Sequence, residues 1–165
     1  MDAEHAGLML DWPTFARVTR GLACDVARDG SPQVLVAVMR GGMVPTAVLA
    51  HALGVRAVRA VEVTHTITDD VDAAKTTVPV VVRPDTLGDL TGMDVLIVDD
   101  IAGTGDTLTT AASLAGQAGA GRVRTLACVV NETNWRAART EQPSKLLTYI
   151  GTVVQGWVIF PWERQ

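Results

Sequence analysis

The sequence predicts an α/β fold in which a mostly parallel sheet is flanked by helices. Three observations carry that expectation. Residues 34–38 (VLVAV) and 95–98 (VLIV) are short, wholly apolar runs of the kind found in strands buried on both faces. Between such runs lie segments whose apolar residues recur at helical spacing. The two kinds of segment alternate along the chain, the order that builds a parallel sheet with crossover helices.

Taken in order, Asp11-Trp12-Pro13 supplies a helix cap and a proline in the first turn, where the missing N–H costs nothing. Phe15, Val18, Leu22 and Val26 then mark one apolar face, and Asp29-Gly30-Ser31-Pro32 stops the helix. Strand 34–38 leads into the loop Arg40-Gly41-Gly42 and a helix over 45–53 closed by Gly54. Val58, Val61 and Val63 indicate the next strand. Residues 65–77 are polar and weakly patterned and are expected to form a mobile loop before a strand at 78–82. Strand 95–98 ends in Asp99-Asp100, and a Gly/Thr turn follows. The next helix carries Leu108, Ala111, Ala112, Ala115 and Ala118 on one face. A strand over 124–130, a short helix over 134–139 and an aromatic tail at 156–163 (GWVIFPWE) complete the chain. Neither an internal repeat nor a low-complexity linker divides it, so residues 1–165 are expected to be one domain.

Composition narrows the function. With 48% hydrophobic residues the chain can bury a core, which excludes intrinsic disorder. Its net charge of −4 comes without any basic run, which argues against a nucleic-acid binder, since that class needs clustered Lys and Arg. Cys24 and Cys128 lie in apolar surroundings without metal-ligand spacing. The first ten residues lack a basic n-region, and every apolar run is far shorter than the roughly 20 residues of a membrane span. A cytoplasmic protein with no membrane partner is expected.

The informative stretch is 95–108, VLIVDDIAGTGDTL. A buried strand delivers two adjacent carboxylates to its end, and small residues then turn the chain into a helix N-terminus. Backbone N–H groups converge there and the helix dipole adds positive potential, so a phosphate is the natural guest. Thr104 and Thr107 offer hydroxyl donors, while Gly103 and Gly105 permit close backbone approach. The paired acids suit vicinal hydroxyls or a hydrated magnesium ion. An ordinary strand–turn–helix junction with an acidic cap is the competing explanation. The G-x-x-x-x-G-K-[ST] and G-x-G-x-x-G phosphate motifs are both absent.

This segment resembles the phosphoribosyl pyrophosphate (PRPP) signature of the type I phosphoribosyltransferases. Residues 36–42 (VAVMRGG) resemble the pyrophosphate loop of that family, and 157–163 (WVIFPWE) resemble the C-terminal base-binding segment of its xanthine/guanine/hypoxanthine branch. The resemblance implies the type I fold with a small C-terminal hood over the base. It implies that Asp99, Asp100 and Arg40 are catalytic, with Asp99 and Asp100 holding the ribose hydroxyls directly or through Mg²⁺, the expected cofactor. Ala102, Gly103, Thr104, Gly105, Asp106 and Thr107 would cradle the 5′-phosphate. Met39, Arg40 and Gly41 would hold pyrophosphate, with a strained peptide at that loop. Asn131, Trp157, Val158 and Glu163 would meet the base, Trp157 by stacking and Val158 through its backbone. The 65–77 loop would be the lid that excludes water. The implied reaction transfers phosphoribose from PRPP to a purine-like base, and a homo-oligomer is expected. A PRPP- or nucleotide-sensing regulator on the same fold is the alternative.

Four positions depart from the family pattern. Gly103 stands where 6-oxopurine enzymes usually carry an Asp facing purine N7. Asp106 puts a carboxylate beside a phosphate loop, which is tolerable where it caps the helix and points away. No Lys lies near Asn131, where the purine branch places one for the 6-oxo group; an Asn amide there both donates and accepts. Met39 replaces a small residue. The first and third departures favour a modified base, such as a 7-deazapurine, over an ordinary salvage substrate. No Ser–His or Cys–His nucleophile pair is evident, and His5, His51 and His65 are read as structural or solvated. Trp135 is read as a core residue.

Overall fold

The computed structural model describes residues 8–66 and 75–163. Strand β1 (Leu8–Met9) precedes helix α1 (Trp12–Arg28), strand β2 (Val34–Met39), helix α2 (Met43–Leu53), strands β3 (Ala57–Thr66) and β4 (Lys75–Val81), and strand β5 (Asp94–Ala102). Helix α3 (Asp106–Gln117), strand β6 (Arg122–Asn131), helix α4 (Glu132–Ala138) and strands β7 (Tyr149–Val154) and β8 (Val158–Ile159) follow. Six strands form one sheet in the order β4-β3-β2-β5-β6-β7, all parallel except β4, which runs against β3. The α/β expectation holds.

The apolar runs behave as their composition requires. Alternate residues of a strand face opposite layers, so Val34, Val36, Val38, Val95 and Ile97 join one core with Leu108, Ala111 and Ala115 of α3. Leu35, Leu96, Val98 and Leu126 join the other with Phe15, Leu22 and Val26 of α1 and Leu49 of α2. Both faces are covered, which is why these strands read as continuous hydrophobic stretches. Helix α1 begins as expected: the Asp11 carboxylate accepts from the Thr14 N–H at 2.8 Å, and Pro13 sits in the first turn. Gly54 closes α2 at φ +67°, a left-handed position that favours glycine. Trp135 is 1% exposed and belongs to the core.

Some boundaries move. Strand β3 extends through His65 and Thr66, and β4 begins at Lys75, so both ends of the anticipated 65–77 loop are paired strand. Its centre, 67–74, lies outside the described residues, as does His5. Strand β5 runs on through the acid pair to Ala102 because β6 continues beside it, pairing Ile101 with Val129 and Ala102 with Val130. Helix α4 starts two residues earlier than anticipated because Asn131 caps it.

The tail folds back onto the N-terminus. Strands β1 and β8 pair in parallel as a separate two-stranded sheet, beside a cluster in which Phe160 stacks on Trp162 and Phe15 meets the Trp162 ring edge-on. Among the described residues, no helix is long and apolar enough to cross a membrane.

Candidate active site

Strands β2 and β5 are neighbours, paired from Val34 with Val95 to Ala37 with Val98. That register brings the loop after β2 beside the acid pair at the end of β5. In parallel α/β sheets this carboxyl edge of the strands is where ligands bind. The peptide between Met39 and Arg40 is cis, at the loop where an unusual peptide was anticipated. A Cβ on Gly42 would lie 2.5 Å from the carbonyl oxygens of both Val38 and Val98, so only glycine lets the chain cross these strand ends. Gly41 lies directly against the Asp100 carboxylate. Arg40 is exposed at the tip of the turn.

Asp99 and Asp100 are 8% and 7% exposed. Asp99 Oδ1 accepts from the Asp100 N–H at 3.0 Å, and Asp100 Oδ1 from the Ile101 N–H at 2.7 Å. Burial pushes the Asp99 carboxyl well above its ordinary range, and the adjacent Asp100 charge pushes it further. Burial likewise lifts Asp100 to about 6, with the Glu163 charge adding to the effect. Among the described residues, no Lys or Arg pairs with either acid. A pair of buried carboxylates without a cation is a place for hydroxyl donors or a hard metal ion. Their all-oxygen donor set fits Mg²⁺, which typically takes one or two carboxylates and completes its shell from water and substrate oxygens. Among the described residues, no larger His/Cys/Asp/Glu cluster offers a complete protein cage.

The turn after β5 narrows onto α3. Gly105 has φ +80° and caps the helix without a side-chain bond, and a Cβ there would lie 2.8 Å from the Trp135 ring. Two expectations need correction here. The Thr104 hydroxyl, anticipated as a phosphate donor, donates to Asp106 Oδ2 at 2.8 Å. Asp106 does not cap the helix: it occupies the first turn, and its other oxygen pairs with the Arg139 guanidinium. Arg139 also donates through Nε to the Thr104 carbonyl at 2.6 Å. Ala102 is buried, while Gly103 and Thr107 are half-buried along the same turn.

Asn131 also differs from expectation. Its side-chain oxygen accepts from the Asn134 N–H at 3.2 Å as the N-cap of α4, so the side chain has a structural task besides the one expected of it. The hood residues divide. Leu8 N–H donates to the Trp157 carbonyl and Leu10 N–H to the Ile159 carbonyl. Successive strand residues point their backbone groups to opposite sides, so Val158 turns its N–H and C=O away from β1. Trp157 is 44% exposed and, among the described residues, touches no other aromatic ring. Glu163 Oε2 accepts from the Phe160 N–H at 2.8 Å, and its charge reaches Asp100. A groove of about 800 Å³ between α2 and β3, lined by Thr46, His51 and Arg56 among others, contains none of the anticipated site residues.

Residues 5–163 match the phosphoribosyl transferase domain family. The chain belongs to that family. The curated relatives include a xanthine-guanine phosphoribosyltransferase from Ruegeria sp. (strain TM1040), 30% identical over 97% of this chain and 87% of its own length. Among solved structures, a purine phosphoribosyltransferase from Pyrococcus horikoshii superposes with a TM-score of 0.75 at 27% identity, covering 96% of this chain and 95% of its own. The Helicobacter pylori xanthine-guanine-hypoxanthine phosphoribosyltransferase superposes with a TM-score of 0.66 at 21% identity, over 95% and 93% of the two chains. The fold of this phosphoribosyltransferase is therefore the type I fold that the motifs implied. Sequence reading missed Arg139. The signal available to it was chemical: an acid inside a phosphate loop calls for a nearby cation.

Proposed function

We propose that this phosphoribosyltransferase transfers the 5-phosphoribosyl group of PRPP to a ring nitrogen of a purine-like base, with Mg²⁺ as cofactor. The observation that carries the reading is the pair of buried carboxylates near the end of β5, unpaired with any described Lys or Arg, with Asp100 against Gly41 and a short Gly/Thr turn leading on to the N-terminus of α3. The purine activities named for the Ruegeria and Pyrococcus relatives support the class of acceptor.

In this reading Asp99 and Asp100 take the ribose 2′- and 3′-hydroxyls, the turn 102–107 takes the 5-phosphate on N–H groups at the α3 N-terminus, and Met39, Arg40 and Gly41 take the pyrophosphate. The C1–O bond to pyrophosphate breaks as the C1–N bond to the base forms, through an oxocarbenium-like centre, and the proton of the reacting ring nitrogen is released to water. Asp99 and Asp100 orient the ribose at that centre, while Arg40 stabilises the charge developing on the leaving group. When bound, Mg²⁺ neutralises further pyrophosphate charge and holds ribose oxygens. No covalent enzyme intermediate is required. Trp157 offers an exposed ring for stacking, and Val158 offers a backbone N–H and C=O for the edge of the base.

The acceptor is proposed to be a modified base of the 7-deazapurine kind. Gly103 has no carboxylate to serve a purine N7, and this departure carries the reading, since the Asn131 amide N–H remains a donor suited to a 6-oxo group as Lys is. A ring with carbon at position 7 needs no partner there, and a buried acid facing it would be costly.

The test incubates the protein with Mg²⁺-PRPP and hypoxanthine, guanine, xanthine or a 7-cyano-7-deazaguanine-like base, and measures pyrophosphate release. Turnover with any of them supports the transferase reading. PRPP binding with no turnover on any base overturns it in favour of a sensor. A tenfold preference for hypoxanthine or guanine, about 1.4 kcal/mol, overturns the modified-base reading alone.

A further inference from the structure

The Asp106 carboxylate lies in the first turn of α3, beside the turn assigned to a phosphate. A like charge there opposes an anionic ligand. Its partner comes from 33 residues away: Arg139, at the C-terminal end of α4, pairs with Asp106 Oδ1 and donates to the Thr104 carbonyl at 2.6 Å. Arg139 is the C-cap residue of α4, and its N–H donates to the Trp135 carbonyl at 2.8 Å, so the helix that carries Trp135 also fixes where Arg139 leaves it. Trp135 supports Gly105 from below, because a Cβ on that glycine would overlap its ring. The Trp135 indole N–H is itself fixed on the Glu141 carbonyl at 2.7 Å. One end of α4 thus holds the phosphate turn at three successive residues: Thr104 through its carbonyl, Gly105 through packing and Asp106 through its charge.

Orientation follows from peptide planarity. In a trans peptide the C=O and the next N–H point in opposite directions, so anchoring the Thr104 carbonyl on Arg139 turns the Gly105 N–H away from Arg139. A guanidinium suits this double task because its planar fork reaches a carboxylate and a carbonyl together, which an ammonium does not do in fixed geometry.

We propose that Arg139 is a positioning residue for the 5-phosphate of PRPP: it neutralises Asp106 and fixes the Thr104–Gly105 peptide so that the turn accepts an anion. The proposal rests on the transferase reading above, because it presumes that 102–107 is the phosphate cradle. Asp106 and Arg139 act as one unit, in which the acid orients the arginine and the arginine cancels the acid. The role is not chemical, since Arg139 reaches the loop backbone and not the reacting atoms.

The experiment measures equilibrium binding of ribose 5-phosphate, together with KM for PRPP and for the accepted base, on the native chain, Arg139→Ala, Arg139→Lys and the double variant Arg139→Ala/Asp106→Asn. Arg139→Ala is expected to weaken ribose 5-phosphate at least tenfold and to raise KM for PRPP similarly, with KM for the base within twofold of native. Arg139→Lys keeps the charge and loses the fork, so it should fall between; it also carries the test if the alanine variant does not fold. The double variant should recover a large part of the loss, because the uncompensated anion is gone. Unchanged binding in Arg139→Ala overturns the proposal. So does a double variant as impaired as the single one, which would reduce Arg139 to a structural brace. If the native chain neither binds ribose 5-phosphate nor turns over, the cradle assignment fails, a result distinct from a native chain that binds and an arginine that does not matter.

Discussion

Gly41 and Asp100 are so close that a methyl group on the glycine would lie 2.2 Å from Asp100 Oδ2 and 2.4 Å from its Cγ. The loop after β2 and Asp100 therefore share one volume. Gly41→Ala must displace either the loop or the carboxylate, and the carboxylate, ending a rigid buried strand, has little room to turn. kcat/KM for PRPP is expected to fall at least a hundredfold, about 2.7 kcal/mol of transition-state stabilisation. The unfolding midpoint should drop only modestly, because the clash sits at the mouth of the sheet and not in its core. Wild-type kcat/KM in a folded Gly41→Ala variant would mean that the loop and Asp100 do not cooperate.

Asp100 should cost the folded protein stability. Burial lifts its carboxyl to about 6 from an ordinary 3.8, so between those pH values the native chain retains a proton that the unfolded chain has released. Native stability then falls as pH rises from about 4 to about 6, and the deficit persists above that window. Asp100→Asn removes the burden and relieves the adjacent Asp99. Urea unfolding is expected to show the variant more stable than native by roughly 1–3 kcal/mol at pH 7.5, with the gain vanishing near pH 4. Turnover should fall by orders of magnitude in the same protein. An equal difference at both pH values would show that the carboxylate is not strained by burial.

The acid pair was legible in the sequence because two consecutive aspartates after a wholly apolar run mark the exit of a buried strand, although the strand carries on through Ile101 and Ala102. Trp135 was legible as core for a similar local reason, being the one large apolar residue of a short helix. The Thr104–Asp106–Arg139 arrangement was not, since it depends on a contact between residues 33 apart, and no local pattern encodes that contact. The ends of β3 and β4 were hidden for another reason. The segments 64–66 (THT) and 75–77 (KTT) show no apolar alternation in the sequence, and an antiparallel edge pairing supplies the structure instead. Asn131 followed by Glu132 carries a helix-start signal, and the cap that it forms on α4 sets the helix boundary two residues before 134.

At the opposite edge of the sheet, Arg124 is 2% exposed and forms a fork with Asp94, Nε to Oδ1 at 3.1 Å and Nη2 to Oδ2 at 2.9 Å. Its Nη1 donates to the Tyr149 hydroxyl, which in turn donates to Asp29 Oδ2 at 2.8 Å. The starts of β5, β6 and β7 and the end of α1 are thereby tied together. Arg124→Ala takes the buried donor away from Asp94 and Tyr149, which keep only Arg122 and Asp29 respectively. It is expected to destabilise the fold by about 2–4 kcal/mol in chemical denaturation, somewhat below the cost for a fully buried pair because Asp94 retains 23% exposure and a contact with Arg122. KM for PRPP should stay within twofold, since the network lies at the strand ends away from the acids. A selective loss of PRPP affinity would show that this edge communicates with the site.

Trp157 and Phe160 are three residues apart, and their environments assign them opposite roles. Phe160 is 1% exposed and stacks on Trp162 at a centroid distance of 4.7 Å, whereas Trp157 keeps 44% of its surface in solvent. Removing a buried aromatic leaves a cavity, so Phe160→Ala should cost about 3–5 kcal/mol of stability. Trp157→Ala removes a ring that is already wet, and its backbone contact with Leu8 survives the substitution, so stability should change by less than about 1 kcal/mol. What Trp157→Ala should lose is affinity for the base: aromatic stacking on a heterocycle contributes roughly 1–3 kcal/mol, equivalent to about a 5- to 150-fold rise in KM for the base. KM for PRPP should be nearly unchanged, because the phosphate, ribose and pyrophosphate contacts are assigned to β2, β5 and α3. Steady-state kinetics with each substrate varied in turn, paired with thermal unfolding of both variants, separates the outcomes. If Trp157→Ala weakens both substrates equally, or destabilises the protein as Phe160→Ala does, the ring is a packing element of the tail and the base must be held elsewhere.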